Sequence, residues 1–163
     1  QFLGSSKFVK PLIDRFLRAN GSPITVGGMI SFEHLSFYFE SPIKTFNKAK
    51  TIGIECRITR FALSQLKPGS IAIDVGANYG FITLAMAKIV LPHGKVMAIE
   101  PDKKIMNILE TASKKNNVEK NIILVNTFAG NSNENGFVTI DDLIKKYEIQ
   151  RIDFIKIDVH CQV

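Results

Sequence analysis

From residue 71 onward, short apolar runs alternate with stretches of helical period. The run "IAIDV" at 71–75 reads as a buried strand and leads into a helical pattern over 79–90, and "KVMAIE" at 95–100 leads into another over 102–115. "IILVN" closes a third strand over 121–126, an irregular run follows, and a helix over 140–147 precedes a fourth strand over 152–158. Strands separated by helices pair in parallel through right-handed crossovers. The expected fold class is therefore α/β, a Rossmann-like parallel sheet with flanking helices.

The first 70 residues have a different pattern. In "KFVKPLIDRFLR" the residues Phe8, Leu12, Phe16 and Leu17 share one helical face, which predicts an amphipathic helix over 5–19 closed by "NGSP". Residues 24–54 are β-branched and aromatic, and Leu35, Phe37 and Phe39 alternate, which predicts short strands before Pro42. Residues 54–66 read as a helix that stops at "KPGS". An α+β segment over 1–70, suited to a lid or a substrate side, thus precedes a ligand-binding core over 71–163.

Composition narrows the class. A chain of 163 residues, 45% hydrophobic, can bury one core. The apolar stretch "FITLAMAKIVL" is interrupted by Lys88 and ends at Pro92, so no membrane span is expected. No basic-then-apolar leader follows Gln1, and Cys56 and Cys161 lack metal-type spacing. A reduced, cytoplasmic protein without a metal is the expectation. The net charge of +6 lies wholly in residues 1–70, where ten Lys and Arg stand against four Asp and Glu. Such a surplus attracts acidic partners, but no aromatic-and-basic motif of an RNA-binding module accompanies it, and nucleic acid is not the expected partner.

The turn between the strand at 71–75 and its helix, "DVGANYG", carries the chemistry. Ligands of such sheets bind at the carboxyl ends of strands, where strand order reverses. Gly76 allows the backbone to turn close to a ligand, Gly80 allows the helix start to pack on the strand, and Asn78 tolerates left-handed angles. The middle glycine of G-x-G-x-x-G is absent, and Asp74 at the strand tip repels phosphate, so the turn suits a cationic ligand. Twenty-four positions after Gly76, Glu100 ends the next strand, held extended by Pro101. A carboxylate there can accept both hydroxyls of a ribose. A nucleoside with a positive centre and no phosphate describes S-adenosylmethionine; taken alone, the turn also reads as a purely structural strand–turn–helix.

The stretches "IDVGANYGF" at 73–81, "AIEPD" at 98–102, "VTIDDLI" at 138–144 and "DFIKIDV" at 153–159 together resemble the FkbM-type class I S-adenosylmethionine-dependent methyltransferases, with weaker similarity over 50–70. The resemblance implies that Asp74, Gly76, Asn78 and Gly80 shape the pocket for the methionine end of the cofactor, that Glu100 holds the ribose and that Asn126 lies near the adenine. It implies that Glu55 reaches the same pocket, although an exposed helical carboxylate is an equal reading. It also implies O-methylation of a sugar, glycolipid or secondary-metabolite hydroxyl, with a small molecule or glycan as acceptor.

A hydroxyl acceptor benefits from a base. Asp158, at the carboxyl end of "FIKID", is the candidate for base or orienting group, and strand alternation places Lys156 on the same face; a strand-end ion pair is the alternative. Thr139 with Asp142 reads as a helix cap. Where the family continues "DVEG", this chain has "DVHCQV", with His160 in place of a carboxylate and Cys161 in place of the glycine. Only four strands are visible, so the sheet is expected to be incomplete on its C-terminal side, with the apolar strand at 152–158 left as an edge open to self-association. Two rival functions remain: a catalytically inactive binding or scaffold protein, and a nicotinamide-dependent oxidoreductase.

Overall fold

Alternating side chains over 35–41 fold back on the preceding strand. The computed structural model describes residues 24–132 and 136–158; the expected helix over 5–19, and His160 and Cys161, lie outside them. Strands β1 (Thr25–Phe32) and β2 (Leu35–Pro42) form an antiparallel hairpin that pairs Phe32 with Leu35. Phe37 and Phe39 point inward from β2 and are fully buried, as their alternation requires.

Beyond Pro42 the chain forms helix α1 (Ile43–Thr51), an element the alternation upstream does not announce. Pro42 supplies the fixed φ that opens it, and Gly53, at φ 79°, closes it by donating its N–H to the carbonyls of Lys48 and Ala49. The Phe46 ring stacks on Phe39 at 6.4 Å. Helix α2 (Cys56–Gln65) follows and ends before Pro68.

Strands β3 (Ile71–Val75), β4 (Lys95–Ile99), β5 (Ile122–Val125) and β8 (Phe154–Ile157) form the parallel sheet in the order β5-β4-β3-β8. Helix α3 (Phe81–Val90) links β3 to β4 and helix α4 (Lys103–Lys115) links β4 to β5. Asp102 caps α4, its carboxylate accepting the N–H groups of Lys104 and Ile105. Within the run read as irregular, two-residue strands β6 (Phe128–Ala129) and β7 (Phe137–Val138) pair. Helix α5 (Ile140–Lys146) then leads back to β8, capped as expected by Thr139, whose hydroxyl accepts the Asp142 N–H at 3.1 Å.

Both faces of the sheet are covered. The β1–β2 hairpin and α1 to α4 share one apolar cluster with Ala72, Val96 and Ala98; Ile73, Val75, Met97 and Ile99 point the other way, against Leu143 of α5. Residues before and after position 70 therefore share a core. Strand order reverses beside β3, between β4 and β8. There Asp153 pins the register of β8, its carboxylate accepting the Ile71 N–H and its own N–H donating to the Ile71 carbonyl, both at 2.8 Å. On the open side of β8, Ile155 and Ile157 are 41% and 62% exposed; among the described residues that strand is an edge. Among the same residues no helix is long and apolar enough to cross a membrane.

Candidate functional site

The reversal places the turn after β3 at the crevice the sheet offers to ligands. Three of its five residues hold positive φ: Gly76 at 75°, Asn78 at 50° and Gly80 at 81°. All five N–H groups are spoken for within the protein. Those of Gly76 and Ala77 donate to the Ile99 carbonyl, that of Asn78 to Glu100 Oε2, that of Tyr79 to the Asn78 side chain and that of Gly80 to the Ala77 carbonyl. A phosphate-cradling loop works by aiming free N–H groups at the anion; this loop aims none. Its conformation also excludes a larger residue at Gly80, where a Cβ would stand 2.2 Å from Leu109 Cδ1, a fully buried neighbour. Gly80→Ala is expected to cost at least about 1–2 kcal/mol from the left-handed backbone alone. An unshifted Tm would contradict this.

Glu100 is 8% exposed at the end of β4, and both its oxygens accept backbone N–H groups, from Asn78 and from Asp102, each at 2.9 Å. It thus ties the turn to the start of α4, with a second lone pair on each oxygen left for a ligand. Asn126, exposed at the end of β5, donates to the carbonyls of Glu100 and Pro101 at 2.8 Å and holds that carboxylate's backbone in place.

The Asp74 side chain lies beneath the turn, fully buried. The register of β3 with β8 sets it opposite Lys156, whose Nζ stands 3.2 Å from Asp74 Oδ1 without hydrogen-bond alignment and donates to the Gly76 carbonyl at 3.0 Å. The Thr83 hydroxyl donates to Asp74 Oδ2 at 2.6 Å. Asp74 was expected in the pocket wall; burial and these partners make it a support under the wall. Lys156, expected beside Asp158 on the acceptor side, is 6% exposed and holds the turn at Gly76. Thr83 belongs to this group and was not singled out by the sequence, since its role depends on the helix packing over β3.

A small hollow of about 90 Å³ opens above the turn, below the range of about 300–1,000 Å³ usual for ligand pockets. Gly76, Asn78, Gly80 and Lys156 form one side; Glu55, Ile54, Thr45 and Phe39, from the first 70 residues, form the other. Glu55 and Lys156 thus lie at the hollow, and Glu100 and Asn126 stand at the ends of the neighbouring strands β4 and β5. Glu55 is half-buried, not an exposed helical carboxylate. It sits at the N-cap of α2 with φ 46°, and its Oε2 is enclosed without a hydrogen-bond partner. Burial pushes its carboxyl above its ordinary value; Lys156 opposes this, and Asp158 and Asp74 add to it. Burial, together with Asp102 and Glu100, likewise pushes the Tyr79 phenol up. Among the described residues no group of three His, Cys, Asp or Glu is arranged to hold a metal ion.

Over 88 residues the chain is 35% identical to the probable ribosomal RNA small subunit methyltransferase A of Pyrococcus furiosus, a match covering 54% of this chain and 31% of that one. The chain thus spans about a third of the length of that curated relative. Among solved structures it is similar to the O-methyltransferase of Bacillus cereus in complex with SAH, at 16% identity and a TM-score of 0.47, covering 72% of this chain and 50% of that one. It is also similar to a SAM-dependent O-methyltransferase of Thermotoga maritima, at 18% identity and a TM-score of 0.42, covering 61% and 40%. The family model for O-methyltransferases matches residues 59–162, well over half of the sequence, and the chain belongs to the O-methyltransferase family.

Proposed function

We propose that this protein binds S-adenosylmethionine across the turn at 76–80 and transfers its methyl group to an acceptor hydroxyl. The observation that carries the reading is a ligand turn with no free N–H groups, flanked by a partly enclosed carboxylate at Glu55 and a second at Glu100. Such a turn has no N–H group of its own to offer a pyrophosphate, which speaks against a nicotinamide dinucleotide. It suits a phosphate-free nucleoside bearing an ammonium. The residues fit that group: Glu55 and Lys156 present opposite charges to an amino-acid end, Gly76 leaves room for close approach, Glu100 keeps acceptor capacity for ribose hydroxyls, and Asn126 stands beside it toward the base.

When bound, the cofactor supplies a methyl group already activated on a sulfonium, so that alignment of the acceptor accounts for most of the acceleration. The protein's part is to position. Thr83 holds Asp74, Asp74 holds Lys156, Lys156 holds the Gly76 carbonyl, and Asn126 holds the backbone of Glu100. Asp158, half-buried after β8, is the group we assign to accept or orient the acceptor's proton. Residues 24–70 act as the wall over a cofactor core that begins at 71, a functional division within one shared core. We read the chain as FkbM-type, from "IDVGANYGF", "AIEPD" and "DFIKIDV", with a sugar, glycolipid or secondary-metabolite hydroxyl as acceptor.

A ribosomal RNA acceptor is the second reading, favoured by the Pyrococcus relative and by exposed Lys44, Lys48, Lys50 and Arg57 along α1 and α2. Binding to RNA that weakens steeply with salt would support it. The proposal itself is tested by calorimetric titration with S-adenosylhomocysteine. Saturable binding is expected, weakened by about 1–3 kcal/mol in Glu100→Ala through lost hydrogen bonds. Absence of binding, or binding that Glu100→Ala leaves unchanged, would count against it; binding without turnover on any acceptor would favour the inactive binding protein.

A further inference from the structure

We infer that Asn116, at the C-terminus of α4 and outside the hollow, is a positioning residue for the ligand site: its carboxamide fixes the seat of the β1–β2 hairpin, and so of the wall that the first 70 residues build. The inference deepens the S-adenosylmethionine reading above and rests on it. Asn116 is 5% exposed. Its Oδ1 accepts the Tyr38 N–H at 2.8 Å, and its Nδ2 donates to the Tyr38 carbonyl at 2.7 Å and to the Ala112 carbonyl at 2.8 Å. The side chain thus does for Tyr38 what a residue of a third strand would do.

Asn116 is itself held from two helices. Its N–H donates to the carbonyls of Ala112 and Ser113 at the end of α4, and its carbonyl accepts Lys88 Nζ of α3 at 2.8 Å. Beside it Lys115 Nζ donates to the Tyr38 hydroxyl at 2.7 Å. That hydroxyl donates to Glu40 Oε2 at 3.0 Å, and the Thr25 hydroxyl donates to Glu40 Oε1 at 3.2 Å, which carries the tie across to β1. A reversed carboxamide would set donor against donor and acceptor against acceptor at Tyr38, so one seat of the hairpin is selected. The rings packed on Phe81 hold the hairpin down without direction, whereas paired hydrogen bonds fix its register.

That register reaches the hollow through the next residue. Strand alternation turns Phe39 to the face opposite the Tyr38 ring, and Phe39 lines the hollow. Pro42 then opens α1, and Thr45, Ile54 and Glu55 complete that wall. The opposite wall hangs on the same helix: Leu109 of α4 lies against Gly80, and at the start of α4 the Asp102 N–H donates to Glu100. Helix α4, 13 residues long and about 20 Å from end to end, therefore sets both walls, the turn through Leu109 and the hairpin through Asn116. A ligand that needs the two walls at one spacing binds only while the hairpin is seated, and its apparent affinity falls with the seated fraction.

The experiment measures affinity for S-adenosylhomocysteine by calorimetry, well below each protein's Tm, and amide exchange at Tyr38 by NMR. Asn116→Ala should weaken binding by about tenfold and open the Tyr38 amide to exchange. Saturating S-adenosylhomocysteine should restore its protection, because coupling between seating and binding is reciprocal. Asn121→Ala is the matched comparison: this buried carboxamide donates to the carbonyls of Pro92 and Gly94, outside the hairpin. Its loss should lower Tm and leave both readouts unchanged. Wild-type affinity in Asn116→Ala, a Tyr38 amide that stays protected there, or an equal loss of affinity in Asn121→Ala overturns the inference and leaves the cofactor reading standing. No binding by the wild-type protein overturns both. Should Asn116→Ala fail to fold, Asn116→Asp replaces it, since it keeps the acceptor for the Tyr38 N–H and loses the donor to the Tyr38 carbonyl; unchanged affinity there overturns the inference by itself.

Discussion

Lys156→Met is expected to destabilise the fold by about 3–5 kcal/mol, because it leaves a buried carboxylate without its counter-charge. Asp74 is wholly buried, and the Lys156 side chain is 5% exposed, so neither gains help from water. With the ammonium gone, Asp74 retains only the Thr83 hydroxyl, and the Gly76 carbonyl loses its donor. Stability of a domain of this kind totals about 5–15 kcal/mol, so the loss removes a large part of it. The double variant Asp74→Asn with Lys156→Met should recover most of the deficit, since an amide leaves no charge stranded and its oxygen can still accept from Thr83. Urea unfolding of the three proteins decides. A single-variant loss under about 1 kcal/mol, or a double variant no better than the single, would show that the pair is not a buried charge couple.

Phe81→Ala should cost a similar amount, about 3–5 kcal/mol, for a different reason. Phe81 opens α3 immediately after the ligand turn and is 3% exposed. Its ring meets Phe32, Phe37 and Phe39 edge-on at centroid distances of 5.4, 5.5 and 5.6 Å, each contact worth about 0.5–1.5 kcal/mol beyond burial. Truncation therefore opens a cavity where the hairpin joins the sheet. Because Phe39 and Phe81 also line the hollow, affinity for S-adenosylhomocysteine should fall along with stability. Phe128→Ala, at a ring 54% exposed, is the control and should change stability by well under 1 kcal/mol. Equal effects at the two positions would mean that the aromatic cluster does not anchor the hairpin.

The core strands were legible because a strand buried on both faces must be apolar throughout, as "IAIDV" and "KVMAI" are. The turn was legible because its three positive-φ positions fall on Gly76, Asn78 and Gly80, residues with a physical reason to adopt them. Helix α3 begins at Phe81 rather than 79 because Gly80 takes the left-handed angle. Helix α1 was not legible from alternation, although Pro42 before it and Gly53 after it punctuate the chain.

The pairing of Asp74 with Lys156 could not be read locally. It needs β8 to return beside β3, and nothing in either strand states that order. The same holds for Glu55. An acidic residue before "CRITRF" looks like a helix-surface carboxylate until α2 is laid against β8, where Phe61 meets Phe154 at 6.1 Å and Glu55 comes to face Lys156 and Asp158. Long-range charge convergence is a property of topology, and the sequence shows it only after the strand order is known.

The most direct test of the central claim is a crystal structure with S-adenosylhomocysteine bound. The ligand should lie over residues 76–80, with its amino group within hydrogen-bond distance of Glu55, its ribose hydroxyls on Glu100 and no contact with Asp74. A ligand seated away from the carboxyl ends of β3 and β4, or one whose amino group reaches Asp74 through a displaced Lys156, would contradict the account.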